Sequence, residues 1–106
     1  MAGCYASTRD GRAQVRIAKG RDGYAFALRQ GNEWTKPAPM QSAGSQELVS
    51  WFGADTASIA EGLTVAGSPF GVFRLKPDGR IRGMDSTARY AMPWKGNGSA
   101  FRVECR

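Results

Sequence analysis

The chain has 106 residues, no histidine, two cysteines and a net charge of +6. Its length fits one domain spanning residues 1–106. Without histidine, His-based catalytic triads and imidazole metal sites are excluded, and two cysteines alone do not form a structural zinc site. No phosphate loop or dinucleotide motif occurs, so we expect no enzyme activity, no cofactor and no metal.

Alternating apolar and polar residues predict β-strands in the first third of the chain. Gln14–Ile17 alternates in this way, and Tyr24–Leu28 alternates large with small side chains. A period of two places one set of side chains on a core face and the other set in water. Asp10-Gly11 and Asp22-Gly23 mark tight turns, because glycine accepts positive φ and aspartate caps turns.

The second half of the chain also has turn signals between its predicted strands. Lys76-Pro77-Asp78-Gly79 is the strongest turn signal, and it predicts a hairpin between Phe70–Leu75 and Arg80–Met84. Pro37–Gly44 is predicted as a loop. Asp55–Gly62 is predicted as a helical turn or a short strand, since Ser58 and Glu61 have capping-box spacing and Gly62 can end a helix.

Short strands at this spacing predict an all-β fold, a small antiparallel β-barrel or sandwich of about eight strands. A closed barrel would bring the termini together. The predicted strands lie near Cys4–Ser7, Ala13–Ala18, Tyr24–Arg29, Glu33–Lys36, Leu48–Phe52, Leu63–Ala66, Phe70–Leu75 with Arg80–Met84, and Ala88–Met92 with Phe101–Cys105. The predicted core comprises Val15, Ile17, Phe26, Leu28, Trp51, Val65, Phe73, Leu75, Ile81 and Val103.

Cys4 and Cys105 stand at the two ends of the chain. A bond between them would close a loop of ~100 residues and place the terminal strands side by side. Disulfides persist mainly in oxidising compartments, so the pair predicts a periplasmic or secreted protein. Two free thiols in a cytosolic protein are the alternative. Ala2-Gly3-Cys4 also resembles the end of a lipoprotein cleavage site, but the apolar segment that precedes such sites is missing.

The positive charge is unevenly distributed. Residues 37–73 contain no Lys or Arg and carry a charge of −3, so the rest of the chain carries +9. A basic face attracts nucleic acid, acidic polysaccharide, lipid headgroups or acidic proteins, whereas the alternative is a merely solvated surface. No apolar run is long enough for a transmembrane helix. The candidate anion-binding residues of such a β-face are Arg16, Arg74, Lys76, Arg80 and Arg82.

The most specific local pattern is Ser86-Thr87-Ala88-Arg89-Tyr90, followed by Trp94-Lys95-Gly96 and then Cys105. This pattern resembles the C-terminal part of the bacterial membrane-bound or periplasmic inhibitors of c-type lysozyme. Their motif is Ser-Gly, two variable residues and Tyr, followed by an aromatic residue with Lys-Gly, a final strand and a Cys. Ser86 and Tyr90 match this motif in type and spacing, and Thr87 stands where the family has Gly.

That resemblance implies an eight-stranded antiparallel barrel whose motif loop enters the lysozyme cleft and engages its catalytic carboxylates. The binding residues would be Ser86, Arg89, Tyr90 and Lys95. We therefore expect a periplasmic or secreted inhibitor of a lysozyme-type cell-wall hydrolase, or an immunity protein against a toxin. The alternative is a cell-envelope module that binds an anionic polymer through the basic face. The sequence leaves the oligomeric state open.

Overall fold

The structure is a computed structural model that describes residues 1–106, and its main feature is one curled sheet of antiparallel strands. A single α-helix and one 3₁₀ segment, Gly53–Ser58, interrupt the strands. The strands are β1 (Gly3–Ala6), β2 (Val15–Gly20), β3 (Gly23–Gln30), β4 (Glu33–Trp34), β5 (Ala38–Pro39), β6 (Gln41–Ser42), β7 (Ile59–Thr64), β8 (Gly71–Leu75), β9 (Tyr90–Ala91) and β10 (Ser99–Val103), and the helix is α1 (Ser45–Phe52).

The strands follow the order β4-β3-β2-β1-β10-β9-β8-β7-β6, and β5 pairs with β3. Segment 38–42 therefore borders both sides of the curl, through β5 on β3 and through β6 on β7. The Met40 amide donates to the Tyr24 carbonyl at 2.9 Å, and the Ala43 amide donates to the Gly62 carbonyl at 2.9 Å. The result is a curled, half-barrel antiparallel sheet, which confirms the all-β antiparallel fold predicted as a small barrel or sandwich.

The two ends of the chain meet in the middle of this sheet. Strand β1 pairs with β10, with Cys4 opposite Val103, and a disulfide joins Cys4 to Cys105 across a Cα–Cα distance of 5.3 Å. Both the adjacent terminal strands and the disulfide predicted from the sequence are confirmed. Cys4 is fully buried whereas Cys105 lies at the surface.

Alternating side chains on the strands fill two apolar clusters. The larger surrounds Tyr5 inside the curl, and the smaller surrounds Phe73 beneath α1. Half of the predicted core residues are buried, namely Val15, Ile17, Phe26, Phe73 and Leu75. The other half are only partly buried, namely Leu28, Trp51, Val65, Ile81 and Val103.

Helix α1 corrects one predicted strand. Leu48–Phe52 is helical, because Leu48, Trp51 and Phe52 follow the i, i+3, i+4 spacing that puts them on one helix face. That face packs against the smaller cluster. The 3₁₀ segment overlaps the predicted helical turn Asp55–Gly62 only at residues 55–58. It ends at Ser58, and β7 begins at Ile59, so Ser58 and Glu61 form no capping box.

The predicted hairpin partner Arg80–Met84 is also wrong. Strand β8 pairs with β7 and β9 instead. Ser58 occupies the backbone groups that such a hairpin would use: its carbonyl accepts from the Lys76 amide at 2.8 Å, and its hydroxyl donates to the Arg80 carbonyl at 2.9 Å. The chain therefore leaves the sheet after Leu75, passes through the Pro77–Gly79 turn and returns at β9.

Tyr5 makes the stability of this fold pH-dependent in alkaline solution. Burial, and then nearby Tyr90, raise the pKa of Tyr5 from 10.0 to about 12. Between these values only the unfolded chain loses the proton, so stability should fall as pH rises from about 10 to 12, by about 2–3 kcal/mol in total. Urea unfolding of the wild-type protein and Tyr5→Phe over this range measures the difference. Parallel pH profiles for the two proteins would contradict it.

Candidate functional site

Ser86 and Thr87 form the exposed tip of a tight turn between β8 and β9. The Ala88 amide donates to the Asp85 carbonyl at 3.1 Å and closes the turn. The Asp85 carboxylate accepts from the Thr87 amide at 2.8 Å and from the Thr87 hydroxyl at 2.6 Å. These two hydrogen bonds hold the pKa of Asp85 below its usual value, so the carboxylate that orders the turn stays ionised.

Three further residues hold this turn in place through hydrogen bonds. The buried Ser99 hydroxyl on β10 accepts from the Asp85 amide at 2.8 Å. Arg9 donates to the Thr87 hydroxyl. Arg89 donates to the Pro77 carbonyl at 2.5 Å and to the Ser86 carbonyl at 3.3 Å. The Ser86–Thr87 turn is therefore ordered before any partner arrives and is flanked by two arginines.

The four motif residues do not all lie together. The Ser86 side chain is exposed and makes no hydrogen bond, whereas the Arg89 side chain donates to the Ser86 carbonyl. Tyr90 lies on β9, partly buried, with its ring 5.0 Å from that of Tyr5. Its hydroxyl has no partner within the protein, and no buried polar side-chain atom is left unpartnered, so this hydroxyl reaches solvent.

Thr87 adopts the turn without the glycine that the inhibitor motif carries. No residue other than glycine has a positive φ, so Thr87 keeps an ordinary backbone conformation. The Asp85 carboxylate supplies the turn-forming contacts instead. Lys95 lies apart from the turn, in the Met92–Lys95 turn, and lines a groove with Arg12, Arg29 and Trp94.

The structure separates the five predicted anion-binding residues. Arg16 lies on β2, and β1, β10 and β9 stand between β2 and β8, which carries Arg74. Arg74 is neutralised by an ion pair with Glu61 at 3.2 Å. Lys76, Arg80 and Arg82 lie exposed on the loops after β8, with Arg80 and Arg82 outside the strand that was predicted for them. They do not form one basic β-face.

Sequence reasoning missed a different basic surface. An open groove of about 870 Å³ lies between residues 9–13 and residues 102–106. Four arginines line it: Arg9, Arg12, Arg102 and Arg106. The two cysteines could have predicted this groove, because pairing Cys4 with Cys105 places the C-terminal arginines beside those of the first third of the chain.

Searches of protein-family models, curated proteins and solved structures find no match to this chain. No three acidic or cysteine side chains are grouped so that they could hold a metal ion. None of the helices has the length and apolar character needed to cross a bilayer.

Proposed function

We propose that this protein is a periplasmic or secreted inhibitor that presents the Ser86–Thr87 turn to the active-site cleft of an enzyme. The target is a lysozyme-type cell-wall hydrolase or, in an immunity role, a toxin. The observation that carries the proposal is the ordering of an exposed turn by Asp85, Arg9 and Arg89 on a disulfide-linked sheet. A loop that is ordered before binding loses little conformational entropy on binding, which favours affinity.

The chemistry of the turn suits a cleft that contains carboxylates. The Ser86 hydroxyl is free to donate, and the Tyr90 hydroxyl on the adjoining strand has no partner within the protein. Hydrogen bonds from such hydroxyls to a carboxylate contribute roughly 1.5–3 kcal/mol. Arg9 and Arg89 add positive charge beside the turn, which complements an acidic cleft.

Net charge limits the choice of target. A protein of charge +6 is repelled by a basic enzyme unless the contacting surfaces are locally complementary. The segment without cations, residues 37–73, forms α1 and β7 and supplies a less basic side to the molecule. The disulfide supports a periplasmic or secreted location, where cell-wall hydrolases and secreted toxins act.

Replacing Ser86 with Ala, or Tyr90 with Phe, should raise the inhibition constant for the target by about 10-fold each, because each loses one charge-assisted hydrogen bond worth about 1.4 kcal/mol or more. Tyr90→Phe keeps the ring contact with Tyr5. Steady-state inhibition of a c-type lysozyme, and of co-encoded toxins, measures the effect.

The matched control is Ser50→Ala, which also removes an exposed hydroxyl, but on α1. We expect this control to inhibit as the wild-type protein does. Thermal unfolding of Ser86→Ala should be unchanged, since the exposed Ser86 hydroxyl makes no hydrogen bond within the protein. If the wild-type protein leaves a c-type lysozyme fully active at micromolar concentration, the lysozyme target is excluded. If Ser86→Ala inhibits every sensitive enzyme normally, the turn is not the contact.

A further inference from the structure

The 870 Å³ groove between residues 9–13 and 102–106 continues into a second groove. This second groove has a volume of about 400 Å³ and shares Arg12 and Ala13 with the first. We call the two together the arginine groove. It carries six cations and only two carboxylates, those of Asp10 and Glu104. The cations are Arg9, Arg12, Arg29, Lys95, Arg102 and Arg106.

The positive charge of the arginine groove is almost uncompensated. Only two ion pairs occur in the protein, Arg74–Glu61 and Arg106–Glu104, and only the second lies in this groove. Asp10 pairs with no cation. The other five cations of the groove make no ion pair.

Four of these guanidinium groups are nonetheless held in place by neutral acceptors. Arg12 donates to the Asn32 amide oxygen at 3.2 Å. Arg29 donates to the Ala13 carbonyl at 2.6 Å and also to the main-chain oxygen of Arg106. Arg102 donates to the Ala2 carbonyl, and Arg9 donates to the Thr87 hydroxyl. A guanidinium has five N–H donors, so each of these groups keeps free donors for a ligand. The groove combines fixed donors with unneutralised charge, which is the arrangement that binds anions bidentately.

Arg29 reports how strongly positive this region is. Its pKa lies below the usual value, first because of desolvation and then because of repulsion by Arg12 and Arg16. Arg16 and Arg29 also lie against the Trp34 ring, with guanidinium carbons 4.7 and 4.5 Å from its centroid. Arg12, Arg16 and Arg29 thus hold like charges close together, and a bound polyanion would relieve their repulsion.

We propose that the arginine groove binds an extended acidic polysaccharide, whose carboxylate or sulfate groups are taken by the arginines in turn. The open shape of the groove and the spread of six cations over its two parts suit a chain rather than one small anion. This site is separate from the proposed enzyme contact, although Arg9 borders both. It would hold the protein on an acidic cell-surface or matrix glycan.

Single-stranded nucleic acid fits the groove less well, because base stacking needs exposed aromatic faces. The aromatic rings beside the groove are already covered by other side chains of the protein. Trp34 is covered by Arg16 and Arg29, and Phe101 is buried beneath Arg9, whose guanidinium carbon lies 5.1 Å from its centroid. Trp94 packs against Phe26 and Phe70 and donates its indole N–H to the Gly71 carbonyl at 2.7 Å.

Calorimetric titration of the disulfide-bonded protein tests this proposal, with a heparin octasaccharide and a polygalacturonate oligomer as sulfate and carboxylate probes. The double variant Arg12→Gln/Arg102→Gln should bind either active probe at least 10-fold more weakly at ~50 mM salt. Its log–log salt dependence should be shallower by roughly one per arginine removed. The matched control, Arg80→Gln/Arg82→Gln, removes the same charge outside the groove and should change affinity less than 2-fold.

Binding of either glycan with this pattern supports the proposal and identifies the anionic group. A second pair, Arg9→Gln/Arg106→Gln, repeats the test should Arg102→Gln disturb β10. Equal losses for the groove and control pairs would show an effect of net charge alone and overturn the proposal. So would tighter binding of single-stranded DNA of matched charge, inorganic sulfate binding as tightly as the octasaccharide, or no binding of either glycan at 50 mM salt.

Discussion

Removing the Cys4–Cys105 disulfide should lower the free energy of unfolding by roughly 4–5 kcal/mol, the largest effect expected of any change in this protein. The bond joins residues 101 positions apart. In the chain-entropy model, a cross-link that closes so long a loop removes many conformations from the unfolded chain. A chain of 106 residues has a modest core, so this contribution is a large share of its total stability.

The double variant Cys4→Ala/Cys105→Ala tests this expectation by urea unfolding and calorimetry. Its melting temperature should fall by about 15 °C or more. Adding reductant should lower the wild-type protein to nearly the same value and leave the double variant unchanged. A loss of stability below about 1 kcal/mol would show that the β1–β10 pairing holds the termini together without the bond.

Phe73→Ala should be the second-largest change, with a loss of about 3–5 kcal/mol. Phe73 is fully buried, and its ring lies 5.1 Å from that of Trp51 and 4.7 Å from that of Phe52. These contacts join α1 to β8, and the Thr64 hydroxyl on β7 also donates to the Glu47 carboxylate on α1 at 3.1 Å. Helix α1 has no fully buried residue of its own, so the variant should also lose helical circular dichroism before global unfolding.

Gly62 gives an independent check on this packing. A Cβ added at Gly62 would lie 2.3 Å from the Phe73 ring, which neighbouring aromatics prevent from moving. Gly62→Ala should therefore cost about 1–3 kcal/mol in the wild-type background and clearly less in a Phe73→Leu background. Gly20→Ala is the control, because its Cβ would meet no atom nearer than 3.8 Å. Additive losses for Gly62→Ala and Phe73→Leu would contradict the proposed contact.

The strands and the disulfide could be predicted because their signals are local or unique. Val15, Ile17 and Phe26 alternate over β2 and β3, and the chain has only one way to pair two cysteines. Helix α1 was missed because an apolar segment as short as Leu48–Phe52 is ambiguous between strand and helix. Tertiary packing against Phe73 favours the helix over the strand, and no local sequence pattern reveals that contact.

The candidate sites also combine features that the sequence predicts with features that depend on tertiary contacts. The Ser86–Thr87 turn could be predicted as exposed. The hydrogen bond from Arg9 to the Thr87 hydroxyl could not, because it joins residues 78 positions apart in sequence. The Arg80–Met84 hairpin failed because Ser58 competes for the same backbone groups. The arginine groove arises only when β1 pairs with β10 and brings Arg102 and Arg106 beside Arg9 and Arg12.

Isotope-edited NMR of the disulfide-bonded protein, titrated with a c-type lysozyme, tests the central proposal most directly. The amide signals of Asp85–Arg89 and Tyr90 should shift or broaden most, while those of α1 and of the arginine groove away from Arg9 stay in place. The Ser50→Ala protein should give the same map, and Ser86→Ala should need about 10-fold more enzyme for the same change. No perturbation at Asp85–Tyr90, at concentrations where the enzyme is inhibited, would contradict the assignment of this turn as the contact.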